Sequence, residues 1–274
     1  MSRVLTSSFR LRAFFSNIIF TRSFSTAALN NSSKPEHVRA FKKPIQFGVK
    51  ERPDLNKPVH VKPSLLERSK RLLDPAANAE TREKLIAEFK VSYWKDFHEL
   101  RNEGEKVWNA DDKLIQIDKA LYMPNVKGST LSKANVDTTS LLRGKISLLV
   151  GCFNRFGEQQ LHSFTDPFLK TFSNKPNIGL VELNMLHKFI NKLILKLSMP
   201  YLRSNTPMAR HNSYVIVSED IEFIRKALHM TNVHRGYAFL IDPDCRIRWA
   251  AHGNATEQEV RTMLNLTNLL EQQC

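Results

Sequence analysis

The sequence predicts an α/β fold: a mixed β-sheet flanked by helices, preceded by a helical extension and a basic arm. Two observations carry that expectation. From about Lys113 onward, short apolar runs alternate with stretches of helical periodicity, the pattern of strands joined by crossover helices. The chain then closes on two strands joined by a tight turn and on a last helix, so the sheet is mixed and not purely parallel. A third observation locates the folded part. Lys and Arg exceed Asp and Glu by 14, and 11 of that excess falls within residues 1–73. Residues 74–274 are nearly balanced in charge, as a packed domain with a solvated surface is.

Each element rests on a local pattern. Ser64 caps a short helix, "LLERSKRLL", which Asp74-Pro75 stops because proline offers no N–H to the helical ladder. Asn78 or Thr81 opens a longer helix with Leu85, Phe89, Tyr93, Phe97 and Leu100 near one face, and Gly104 ends it. "KALYMPNVKGSTLS" spaces Pro, Asn and Gly for a loop or hairpin. "TSLLRGKISLLVGCF" is a turn feeding a buried strand, and "EQQLHSFTDPFLKTF" a helix bent near Asp166-Pro167. "NIGLVELNM" is a strand, "LHKFINKLILKLS" a helix up to Pro200, "HNSYVIVS" a strand and "EDIEFIRKALHM" a helix. "GYAFLIDPDCRIRWAAHG" reads as a hairpin turning at Asp242-Pro243-Asp244. A final helix begins at Thr256, with Glu259 completing a capping box.

Ahead of these elements the chain has a different character. Residues 1–24 belong to a stretch rich in Arg and Ser with no acid before Glu36, the composition of a mitochondrial transit peptide. "RSFST" sets an arginine three residues before a cleavage between Phe24 and Ser25. Residues 25–63 place prolines among Lys and Arg and read as an extended arm without a core of its own. The helical extension spans 64–112 and the sheet domain 113–274. No apolar run reaches the length of a bilayer span, so membrane attachment is expected to be peripheral. The arm's aromatics, Phe41 and Phe47, are too few for a base-stacking platform, and no nucleic-acid partner is expected.

Cys152, Cys245 and Cys274 are too few for a disulfide scaffold, and no Cys/His cluster has zinc spacing. No metal and no cofactor are expected. Cys152 ends an apolar strand just before a helix, where a helix N-terminus favours thiolate.

The order of strands and helices around "LRGKISLLVGCF" and "GYAFLIDPDCRIRW" resembles the thioredoxin-like superfamily, especially its peroxiredoxin-type branch. Within it, "ALYMPNVKGSTL", "LLRGKISLLVGCFNRFGEQQLHSF", "PYLRSNTPMARHNSYVIV" and "GYAFLIDPDCRIRWAAHG" resemble a mitochondrial family. Its members are ATP synthase assembly factors that chaperone the membrane-embedded subunit a (subunit 6). The resemblance covers about residues 64–270. It implies a thioredoxin-like domain over 113–274 and no established catalytic activity. It also implies a place at the matrix side of the inner membrane, where newly made subunit a is held until it joins the rotor ring.

The residues bear on the chemistry independently. A dithiol enzyme needs a second sulfur to resolve its mixed disulfide, and Arg155 stands where that sulfur would be. Gly236 stands where such enzymes carry a proline. A peroxidase motif would need a proline at Lys145 and a hydroxyl at Leu149. Catalytic residues are therefore expected to be absent. The alternative is a single-cysteine thiol peroxidase or other redox enzyme using Cys152, with Arg155 lowering its pKa; against it, free cysteine is commonly a small buried hydrophobe. Cys245, at a turn, is expected to be the more exposed thiol.

Candidate partner contacts are basic. Lys188, Lys192 and Lys196 line the polar side of an amphipathic helix, with Arg203 beyond them, a pattern suited to lipid headgroups or simply to a helix covering a sheet. Arg210 precedes a strand. Alternation places Ile247 and Trp249 on one face and Arg246 and Arg248 on the other, which reads as a packed Trp with solvated arginines or as a stripe beside which a client segment docks by strand addition.

Overall fold

The structure, a computed structural model, describes residues 46–54, 94–185, 192–217 and 221–273, with only the backbone for 192–197. The transit segment with Phe24 and Ser25, the helix expected after Ser64, and Lys188 lie outside these residues.

Seven strands form one sheet in the order β2-β1-β5-β4-β3-β6-β7. The centre is β3 (Ile146–Cys152), parallel to β4 (Ile178–Met185) on one side and antiparallel to β6 (Tyr237–Ile241) on the other. Beyond β4, β5 (Tyr214–Val217) continues the parallel set. The hairpin β1 (Lys127–Thr130) and β2 (Asn135–Asp137) closes that edge antiparallel, and β7 (Ile247–His252) closes the other. This is the expected thioredoxin-like mixed sheet.

Because successive strand residues point to opposite faces, one apolar run feeds two cores. Leu149, Val181, Leu183, Val215 and Phe239 pack on one face with Ile221 and Ile224 of helix α5 (Ile221–Ala227). Leu148, Val150, Leu180 and Leu240 pack on the other. There helix α3 (Arg155–Phe172) contributes Phe164, Phe168 and Phe172, and helix α6 (Glu257–Gln273) contributes Met263 and Leu270. Each fully buried side chain of this size stabilises the fold by roughly 1.5–3 kcal/mol over exposure. Between the hairpin and β3, helix α2 (Thr138–Leu142) is capped by Asp137, which accepts from the Ser140 N–H at 2.9 Å. The expected capping box at α6 is present: Thr256 N donates to Glu259 at 2.9 Å, and Glu259 N donates to Thr256 Oγ1 at 3.2 Å. Helix α1, 94–103 among the described residues, ends at Gly104 in the left-handed conformation.

Three expectations need correction. Helix α4 (Lys192–Asn205) does not stop at Pro200 but runs through it. A proline withholds one N–H without forbidding a further turn, and Met199 and Leu202 pack against Leu131, Tyr214 and Ile216 on either side of it. The arm contributes to a core after all: Phe47 is 4% exposed, against Phe239, Trp108 and His229.

The third correction concerns β7. The register with β6 slips between Leu240, opposite Trp249, and Ile241, opposite Ile247, leaving Arg248 as the extra residue of a bulge. The bulge reverses the parity. Ile247 enters one core and Trp249 the other, so the two do not share a face. Nor do Arg246 and Arg248 form an exposed stripe: Arg248 is 5% exposed, donating to Ile115 O (2.8 Å) and to Asp242 (3.3 Å). The edge beside them is already occupied, because Met123 N donates to Cys245 O, Ile247 N to Leu121 O and Ile115 N to Arg248 O. Strand addition at this edge would have to displace the chain's own 115–123 segment.

Candidate functional site

Cys152 ends β3, and Asn154 caps α3 by accepting from Gly157 N at 3.1 Å. The sulfur therefore stands at the strand-to-helix junction where thiol enzymes place theirs, but its surroundings suppress ionisation. It is 5% exposed and borders a cavity of about 20 Å3, room for one water-sized group, shared with Glu158, His162, Glu182 and Tyr214. Burial pushes the Cys152 pKa well above the ordinary thiol value, and the charges of Glu158 and then Glu182 push it the same way. The expected lowering by Arg155 is overturned, since that side chain is exposed while two carboxylates face the sulfur.

The carboxylates are themselves held. Arg210 grips Glu182 as a fork, with Nε 2.7 Å from Oε2 and Nη2 on Oε1. Asn184 Nδ2 donates to the Tyr214 hydroxyl at 2.8 Å, and that hydroxyl lies 3.5 Å from Glu158 Oε1. Burial, then Glu182, raises the Glu158 pKa. Tyr214 is raised too, by burial and then by Glu158. Sequence reasoning missed this cluster, although one acid inside the apolar strand "LVELN" signalled a buried partner.

No second cysteine shares this core among the described residues. Cys245 lies in the core on the opposite face of the sheet, and both cysteines are free thiols. Against expectation Cys245 is buried, 2% exposed, and burial raises its pKa to about 11. It occupies the left-handed position of the turn (φ 66°) and belongs to the buried cluster that also holds Phe47 and Ile247. Cys274 lies outside the described residues.

Gly236 is fixed by close packing. Its N–H donates to Gln160 Oε1 at 2.8 Å, and a Cβ there would lie 2.5 Å from Gly157 O and 2.7 Å from Leu161 Cγ. The preceding loop, 232–235, is covered by α1. Val233 N donates to the Asp96 carboxylate (3.1 Å) and Asn232 Nδ2 to the Asp96 backbone carbonyl (2.8 Å), while Arg235, 1% exposed, donates to Glu99 at 3.0 Å. A helix of the same chain thus lies on this loop.

The arginines read as partner contacts are spread over the molecule and engaged internally. Arg203 donates to Leu131 O at 2.6 Å, and Arg210 is bound to Glu182. Arg246 donates to Ile117 O at 2.9 Å and lies over the Tyr122 ring, on the far side of the sheet from β5. Lys192 and Lys196 lie on α4. Among the described residues no helix is long and apolar enough to cross a membrane.

Known proteins resemble this chain in two ways. It is 28% identical over 265 residues to the "Mitochondrial ATPase complex subunit ATP10" of Candida glabrata, covering 94% of each chain. It is 26% identical over 243 residues to the "Probable mitochondrial ATPase complex subunit atp10" of Schizosaccharomyces pombe, covering 88% of this chain and 87% of the relative. Among solved structures, a putative thiol:disulfide interchange protein DsbE from Chlorobium tepidum matches with a TM-score of 0.41 and 12% identity, over 57% of this chain and 99% of that one. BsSco, of the Sco family of cytochrome c oxidase assembly proteins, matches with a TM-score of 0.38 and 14% identity, over 54% and 92%. The family model described as ATP10 protein matches residues 25–270, and the chain belongs to that family.

Proposed function

We propose that this protein assembles the membrane sector of the mitochondrial ATP synthase without catalysing a reaction. It binds newly made subunit a (subunit 6) at the matrix side of the inner membrane and promotes its association with the rotor ring. Family membership supports the link to the ATP synthase. The single observation that most supports work by surfaces is Cys152 itself: buried, facing two carboxylates, and with no second described cysteine on its side of the sheet. A hydrophobic client with polar groups inside its membrane segments aggregates when those groups are unpaired, so a holding partner has a physical task.

Residues 1–24 act as the targeting signal in this reading, with cleavage between Phe24 and Ser25. Lys188, Lys192 and Lys196 meet anionic headgroups beside Arg203 and Arg210. Tyr201 and Met208, 50% and 85% exposed, supply apolar contact at the same end. Tagged protein extracted in mild detergent is expected to carry newly made subunit a with it, and its deletion to shorten the lifetime of that subunit. Absence of subunit a from the extract, with an unchanged lifetime after deletion, would refute the assignment.

A further inference from the structure

We propose that the outward face of α1, with the first turn of α3, docks this protein on an anionic lipid bilayer through Trp94, Phe97 and Phe156. An ordinary surface helix turns its apolar side chains to the core and its charged ones to water. Helix α1 does the reverse. Asp96, Glu99 and Glu103, spaced i, i+3, i+7, lie on its packing face. The Asp96 carboxylate accepts from Val233 N at 3.1 Å and lies 4.0 Å from Arg225. Glu99 and Glu103 lie 3.0 and 3.5 Å from the Arg235 guanidinium. Trp94, His98 and Arg101, spaced i, i+4, i+7, lie on the opposite face, flanked by Lys95 and Phe97, and all five are exposed.

The patch extends beyond one helix. The Phe97 ring meets the His234 ring edge-on at 5.9 Å, and His234 Nδ1 lies 3.1 Å from Asn154 Nδ2, on the residue that caps α3. Those contacts set Arg155 and Phe156, the first two residues of α3, at the same end of the sheet as α1. Trp94 is 57% exposed, Phe97 39% and Phe156 42%, and the first two rings meet edge-on at 6.0 Å. With the acids of α1 drawn inward, exposed Lys95, Arg101 and Arg155 make the outward side cationic. Trp and Phe among cations are the chemistry of a membrane interface: the rings sit at headgroup depth while the ammonium and guanidinium groups meet phosphates. The buried ion pairs beneath α1 hold it in place, so the rings are presented without an ordering cost on docking. This inference rests on the reading that the protein works at a membrane surface, and it adds an aromatic contact that the lysines of α4 do not supply.

The test uses the full chain and vesicles of phosphatidylcholine with about 30% phosphatidylglycerol, some of them brominated on the acyl chains just below the headgroups. Subtracting the emission of Trp94→Phe from that of the parent isolates Trp94 from Trp108 and Trp249. Trp94 emission is expected to shift to the blue and, on brominated vesicles, to lose about half its intensity; phosphatidylcholine alone should leave it unchanged. Lys95→Gln with Arg101→Gln is expected to need about thirtyfold more lipid for half the effect, at an unchanged urea midpoint. Raising salt from about 50 to about 500 mM should weaken the parent's response in the same direction, a result that needs no variant. Vesicles that carry the protein down with Trp94 unquenched would overturn this inference and leave attachment to another surface. Vesicles that carry none down would overturn both it and the membrane-surface reading. Trp94→p-benzoylphenylalanine, irradiated in isolated mitochondria, separates the other occupants. Lipid adducts are expected, and adducts to protein alone, whether a second copy or another chain, would overturn the proposal.

Discussion

Gly236→Pro is expected to destabilise the domain by about 4 kcal/mol, seen as a lower urea midpoint with an unchanged slope. Side-chain atoms at this position meet Gly157 O and Leu161 Cγ, both on a helix that three buried phenylalanines fix against the sheet. Neither atom is the tip of a flexible chain, so relief requires moving the helix, and overpacking of this kind costs roughly 1–3 kcal/mol. Proline also removes the N–H that Gln160, 2% exposed, accepts at 2.8 Å, and a buried acceptor left unpaired costs roughly another 1–3 kcal/mol. Proline is thus a residue that this position cannot receive without displacing the helix.

His252→Gln is expected to change the acid response by about 2 kcal/mol between pH 7 and pH 5. The His252 ring is 1% exposed, 4.3 Å from the Trp108 ring by centroids; its Nε2 accepts from Val107 N at 3.0 Å, and Nδ1 has no hydrogen-bond partner. Burial, then Lys106 and Arg235, lowers its pKa from the ordinary 6.5 to about 3. The folded state therefore holds the imidazole neutral, while the unfolded chain takes up a proton once the pH drops below 6.5. Stability from this group is complete above pH 6.5 and declines as the pH falls toward 3. By pH 5 the loss is about 1.5 pH units' worth, roughly 2 kcal/mol. Asp96 and Glu158, whose pKa values burial raises, act in the opposite direction, but they act equally in parent and variant. Urea titrations of both proteins at each pH isolate the histidine: the parent should lose about 2 kcal/mol relative to the variant on acidification. Parallel pH profiles would show that the ring is charged in the folded state.

Elements with an uninterrupted pattern were legible from the sequence. The strands at Ile146–Cys152, Ile178–Met185 and Tyr237–Ile241 are apolar runs because both of their faces are buried. The Thr256–Glu259 box announces α6 because its two reciprocal hydrogen bonds are local. What the sequence hid depends on long-range contact. One extra residue at Arg248 reverses the parity of β7, and no local signal separates a bulge from continued alternation. Phe47 is a core residue by virtue of strand β6, nearly two hundred positions away, and Cys245 is buried in the same long-range cluster. At the candidate site the missing sulfur and missing proline could be read from Arg155 and Gly236. The two acids that keep Cys152 protonated could not, because α3 and β4 supply one each.

The central claim of the proposed function is that this protein serves ATP synthase assembly through its surfaces and not through the Cys152 thiol. The most direct measurement is the amount of assembled ATP synthase, resolved on native gels, in cells lacking this protein and supplied with Cys152→Ala. The account predicts the same amount as with the parental chain. A fall to the level of the deletion, with the variant present at parental abundance and resisting urea as the parent does, would contradict it.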